Sequence, residues 1–172
     1  MRVISGKYRG KKIEGYDING TRPTMDRVKE SLFAIIQNKI IDSICLDLFA
    51  GSGALGIEAL SCGARECDFV DNNPLTIKAL KKNLNNIENA NIFNMDYQKY
   101  LNGTQKQFDI IFLDPPYSLN LITEAIKKII ENNLLKEEGL IICEYETEKI
   151  ITSLKIIKEK KYGSKNIMIL KK

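Results

Sequence analysis

The chain has 172 residues, 44% hydrophobic and 28% charged, with a net charge of +4, a composition suited to one globular domain. No apolar run approaches the roughly 18 residues that span a bilayer. The first residues, Met1-Arg2-Val3-Ile4-Ser5-Gly6-Lys7, lack the apolar centre of a signal peptide, so a cytoplasmic protein is the default expectation.

The chain contains no histidine and no Cys-x-x-Cys pair. That sets aside Ser-His-Asp and Cys-His catalysis and makes a zinc site unexpected. The four cysteines, Cys45, Cys62, Cys67 and Cys143, read as reduced core thiols. Charge is unevenly placed: residues 1–30 hold eight Lys/Arg against four Asp/Glu, and residues 155–172 hold seven Lys against Glu159 alone. The acidic remainder between two basic ends suggests a polyanionic partner docking beside a site that uses carboxylates. Terminal lysines that are merely solvated are the plainer alternative.

In chain order, residues 1–15 read as a glycine-punctuated β-hairpin or arm. It carries Arg2, Lys7, Arg9, Lys11 and Lys12 with Tyr8 among them, a mixture that suits a phosphate backbone and a stacked base. The same charges would also protect a plain edge strand from aggregation. Thr21-Arg22-Pro23-Thr24 ends the arm, and Thr24 is expected to cap an amphipathic helix through about Gln37, with Asp26 in its first turn.

Strands and helices then alternate. Strands are expected at 44–48, 66–70, 91–95, 108–113 and 139–145, and helices up to about Ser61, from Pro74 to about Asn85, briefly after Asp96, and over 121–130. Short strands at 154–157 and 167–170, joined through Tyr162-Gly163-Ser164, leave little room for a helix. The pattern predicts a single α/β domain over 1–172, with an arm at 1–23 and a Rossmann-like core at 24–172. Its sheet should be mostly parallel and seven-stranded, closed by an antiparallel edge hairpin.

Three motifs carry the chemistry. Asp47-Leu48-Phe49-Ala50-Gly51-Ser52-Gly53-Ala54-Leu55-Gly56 places G-x-G-x-x-G between a strand and a helix, where the backbone can approach a ligand closely. Asp71 ends the next strand, where a carboxylate can accept from ribose hydroxyls. That much fits a nicotinamide cofactor as well as S-adenosylmethionine. Asp47 favours the latter, since an acid beside the glycine turn repels a pyrophosphate but suits a positive amino-acid end. Asp96, after the third strand, can accept from an adenine amine or simply cap a helix.

The third motif is Asp114-Pro115-Pro116-Tyr117, past the carboxyl end of the fourth strand. The lone pair of a nucleobase's exocyclic amine is delocalised into the ring. Accepting both N–H bonds, with the Asp114 carboxylate and the Pro115 carbonyl, draws the nitrogen toward tetrahedral geometry and frees that lone pair. Tyr117 can stack on the base, and alignment with an activated methyl group does the rest.

The chain resembles the RsmD-type methyltransferases, which act on guanine N2 of small-subunit (16S) ribosomal RNA. The resemblance is carried by Arg2-Val3-Ile4-Ser5-Gly6 with Arg9-Gly10 and by Arg22-Pro23-Thr24 with Asp26-Arg27-Val28-Lys29-Glu30. It continues through Leu46 to Leu60 and Phe108 to Tyr117, and ends at Glu144 and Tyr162-Gly163. It implies a class I methyltransferase fold, S-adenosylmethionine in the crevice, and catalysis by Asp114, Pro115, Pro116 and Tyr117. The cofactor would be held by Asp47, Phe49, Ala50, Gly51, Ser52, Gly53, Asp71, Asn72, Asp96 and Tyr97.

The resemblance also implies RNA contacts by Arg2, Lys7, Arg9, Lys11, Lys12 and Arg22, with no metal. The partner would be ribosomal RNA within a small-subunit particle, met by a monomer. Asp71-Asn72-Asn73 departs from the more usual charged run after the ribose acid. Adenine-N6 methylation, a nicotinamide-dependent oxidoreductase and a non-catalytic RNA-binding protein are the alternatives.

Overall fold

The computed structural model describes residues 1–15, 22–116 and 120–172, with the side chains of 22–25 left aside. Seven strands form one sheet: β1 (Ile44–Asp47), β2 (Glu66–Asp71), β3 (Ala90–Asn94), β4 (Phe108–Leu113), β5 (Leu135–Tyr145), β6 (Lys155–Tyr162) and β7 (Lys165–Lys171). The order is β3-β2-β1-β4-β5-β7-β6. The first five strands are parallel, and β7 runs antiparallel to both β5 and β6. Helices α1 (Arg22–Ile40), α2 (Ala54–Ser61) and α3 (Pro74–Asn83) cover one face, and α4 (Tyr97–Gly103) and α5 (Leu121–Glu131) the other.

Buried β-branched and aromatic runs explain the central strands. Cys45, Ile110, Phe112 and Ile142 point into the core under α1 and α2. Leu46, Ile111, Leu113 and Ile141 point into the core under α4 and α5. This is the two-sided burial of a parallel sheet. Cys45, Cys67 and Cys143 are free and buried, and Cys62 is free and half-buried against the same core.

Several boundaries differ from expectation; β5, for one, begins at Leu135 and not at 139. α1 begins at Arg22, two residues before Thr24, because Pro23, in the first turn, takes the place of an N–H that has no partner within the helix. Asp26 therefore lies beyond the first turn. α1 also runs on to Ile40, whose buried side chain and the Ser43 Oγ bond to its carbonyl hold the last turn in place. β6 is longer than the apolar run Leu154–Ile157, reaching Tyr162. Seven of its eight residues are exposed, so only pairing with β7 defines it.

The N-terminal arm folds back on itself. Arg2 and Lys12 form an antiparallel bridge, and Val3 and Ile13 are buried in the core. Its tip sits on the carboxyl end of α2, where the Lys7 N–H donates to the Ser61 carbonyl at 2.8 Å. Among the described residues, no helix is long and apolar enough to cross a membrane.

Candidate active site

Strand order reverses between β1 and β4, and the crevice beyond their carboxyl ends is where open α/β sheets bind ligands. Two cavities meet there, and Asp114 lines both.

The first cavity, of about 780 Å³, is walled by Phe49 and Gly51 after β1, Asp71 and Asn72 after β2, Asp96 and Tyr97 after β3, and Asp114, Pro115 and Pro116 after β4. Asp71 is fixed at both oxygens, accepting from the Gly51 N–H at 3.0 Å and the Asn73 N–H at 2.9 Å. Its side chain also lines the cavity. Phe49 and Tyr97 pack at 5.1 Å between ring centroids and make an aromatic side to the cavity. Asp96 caps α4, one oxygen accepting from the Gln98 and Lys99 N–H groups, and it lines the cavity as well, so the two roles expected of it are compatible.

The glycine loop supports this wall from behind. Gly53 precedes α2 in the left-handed region, at φ 81°, where a side chain is strained. At Gly56 a Cβ would sit 2.3 Å from the Phe69 ring, so only glycine lets α2 lie this close to β2. Ala50, Ser52 and Gly53 stand in the loop without lining the cavity, and Asp47, the last residue of β1, does not line it either.

Asp47 is turned beneath the loop, accepting from the Gly56 N–H at 3.0 Å. Strand alternation explains this: Asp47 shares a face with Cys45, under α2. Burial pushes its carboxyl up to about 7, with the Gly56 hydrogen bond opposing and the Asp71 charge adding to the rise. The folded protein thus keeps a proton on Asp47 that the unfolded chain has released above its ordinary value near 4. Stability falls as pH rises through that window. From pH 5 to pH 6 the wild-type protein is expected to lose about 1 kcal/mol more than Asp47→Asn. Urea unfolding at the two pH values checks this, and equal losses would refute it.

The second cavity, of about 380 Å³, lies on the α1–α2 side. Asp114, Glu144 and Glu146 contribute its carboxylates, and Tyr162-Gly163-Ser164-Lys165 close it from the β6–β7 turn. The register pairs Leu113 with Cys143, which brings Asp114 level with Glu144. Lys165 is ion-paired with Glu144. Burial holds the Asp114 carboxyl well above the ordinary carboxylate range, with Glu144 pushing the same way, Lys165 opposing, and Asp47 adding to the rise.

Met1, Val28, Lys29 and Leu32 complete the wall. Lys29 is held by a buried ion pair with Glu58 at 2.9 Å and by the Arg2 carbonyl at 2.6 Å. Glu58 in turn accepts from the Ile4 and Ser5 N–H groups. The N-terminal segment is thereby fastened to both α1 and α2.

Glu144, Glu146 and Lys165 were missed as site residues. An acid two positions past the buried Ile142 of the fifth strand was the available signal. Tyr117 lies outside the described residues, and so does the side chain of Arg22, which opens α1. Two of the arm's basic residues have partners within the chain. Lys7 is paired with Glu88 at 2.7 Å, and Lys11 donates to the Asn85 carbonyl. Arg2, Arg9 and Lys12 are exposed, and Arg9 is at the tip, toward the end of α2 remote from the glycine loop.

The family described as Conserved hypothetical protein 95 matches residues 1–171. The chain belongs to this family, the RsmD-type methyltransferases. A relative from Haemophilus influenzae named Ribosomal RNA small subunit methyltransferase D is 42% identical over 172 residues, covering 95% of this chain and 89% of that one. Its namesake from Escherichia coli is 39% identical, covering 86% and 76%. A solved Escherichia coli structure titled as the methyltransferase yhhF superposes with a TM-score of 0.87 at 35% identity, covering 99% of this chain and 96% of that one. The RsmD-type sheet, with its antiparallel closing pair, is the fold that the sequence pattern predicts.

Proposed function

We propose that this ribosomal RNA methyltransferase transfers a methyl group from S-adenosylmethionine to the exocyclic N2 amine of a guanine in small-subunit RNA. The observation that carries the reading is the position of Asp114, the one acid among the described residues that borders both cavities. The larger cavity suits the cofactor: Asp71 offers acceptor positions for ribose hydroxyls, Phe49 and Tyr97 an apolar side for a flat base, and Asp96 a free carboxylate oxygen. Among its described residues the wall holds three carboxylates and no lysine or arginine, a poor host for the pyrophosphate of a nicotinamide cofactor.

When bound, S-adenosylmethionine supplies a methyl group already activated on a sulfonium. The protein's own task is to hold and sharpen the acceptor. Asp114 and the Pro115 carbonyl accept the two amine N–H bonds, which localises the nitrogen lone pair. Buried beside Glu144, Asp114 has a raised affinity for protons, suited to receiving the one that the methylated amine must lose. The reading places a monomer in the cytoplasm, acting on a small-subunit particle.

The test is transfer of labelled methyl to small-subunit RNA from cells lacking the protein, with free RNA and protein-bound particles side by side. Label in N2-methylguanosine is expected. Label in N6-methyladenosine would keep the mechanism and reject the base, and no label in either substrate would reject the reading.

A further inference from the structure

The seven lysines of residues 155–172 do not act as one cluster. Lys165, Lys171 and Lys172 face Glu144, Glu138 and Glu137. Lys155, Lys158, Lys160 and Lys161 all lie on β6, exposed, and among the described residues none of them is ion-paired with a carboxylate. Among these seven lysines, the ones without an acidic partner are therefore all on the edge strand.

A bulge arranges it further. Ile156 pairs with Leu170 and Lys158 with Ile169, so Ile157 is an extra residue in β6. In a regular strand Lys155 would point away from Lys158 and Lys160. With the bulge, Lys155, Lys158, Lys160 and Tyr162 stand opposite Lys171, Ile169, Ile167 and Lys165, all on the α1 face of the sheet. Hydrogen bonds to Ser31 of α1 from Lys160 and Tyr162 agree with that direction. The file runs along the sheet edge for about 20 Å. It ends at Tyr162, in the wall of the cavity that takes the acceptor base.

We propose that Lys155, Lys158 and Lys160 form a ridge that binds the phosphodiester backbone of the RNA strand leading to the target base. The inference rests on the RNA reading of the acceptor cavity. A file of lysines leading into a cavity for one flat base matches what a single strand offers, a base turned inward and a line of charge beyond it. Protection of the sheet edge from aggregation would need charge on β6 but not its alignment on one face.

The test compares Lys155→Gln/Lys158→Gln/Lys160→Gln with a charge-matched control, Lys127→Gln/Lys171→Gln/Lys172→Gln, whose lysines already face acids. The probe is the small-subunit RNA fragment that the wild type methylates best. The ridge variant is expected to lower the slope of log affinity against log salt by about 2, raise KM for RNA tenfold or more, and leave kcat and S-adenosylhomocysteine affinity nearly unchanged. The control should keep the wild-type slope.

Should the neutral variant aggregate, Lys158→Glu/Lys160→Glu keeps the edge charged and is expected to weaken RNA binding further. An unchanged slope in a ridge variant, with wild-type methylation intact, would overturn the ridge and spare the enzyme assignment. Weakened binding to particles alone, with free RNA unaffected, would assign the strand to an acidic protein partner and likewise overturn it. Failure of the wild type to methylate any RNA would strike the functional reading instead.

Discussion

Replacing Asp114 with alanine is expected to slow methyl transfer about a thousandfold or more, while S-adenosylhomocysteine affinity stays within a few-fold. The side chain is one of many that line the larger cavity, proposed for the cofactor, but it alone among the described residues also lines the smaller one, proposed for the base. Asp114→Asn retains an acceptor oxygen for the amine and loses the capacity to take a proton, so its activity should fall between alanine and wild type. Single-turnover methylation at saturating cofactor checks both. An alanine variant with most of its activity would remove Asp114 from the mechanism.

The second large effect concerns the fastening of the N-terminal segment. Glu58 is 0% exposed and Lys29 only 4%. Lys29→Met leaves a carboxylate in the core with backbone N–H groups but no countercharge, a change that costs about 3–5 kcal/mol. The double variant Lys29→Met/Glu58→Gln removes the buried charge and is expected to recover a substantial part of that loss. Urea unfolding of both variants measures the difference, and a single variant within 1 kcal/mol of wild type would refute the account. Since Lys29 also lines the acceptor cavity, the double variant should regain stability without regaining full activity.

More of the residues that line the larger cavity than of those that line the smaller one were legible in the sequence, for a physical reason. Phe49, Gly51, Asp71, Asn72, Asp96 and Tyr97 lie at or just past the ends of successive strands, and the buried runs of β1 and β2 mark their own termini. The acceptor cavity draws on Met1, Val28, Ala54, Asp114, Glu144 and Lys165, which meet only through the strand register and the docking of the arm. β6 escaped in part because an edge strand needs no hydrophobic face. Asp47 was recognisable as a strand-end acid, but its role depends on side-chain direction. Alternation from Cys45 carried that information, pointing Asp47 under α2 and away from the crevice.

That division of the site has a consequence for the order in which it can be made. The cofactor cavity is complete once the chain reaches Leu121, whereas the acceptor cavity waits for Lys165. At about 5–20 residues per second the intervening stretch takes roughly 2–9 s to synthesise. During that interval the residues that line the larger cavity have been made and those that close the smaller one have not. The closing hairpin is then the last part of the site to be synthesised, later than every residue that lines the larger cavity.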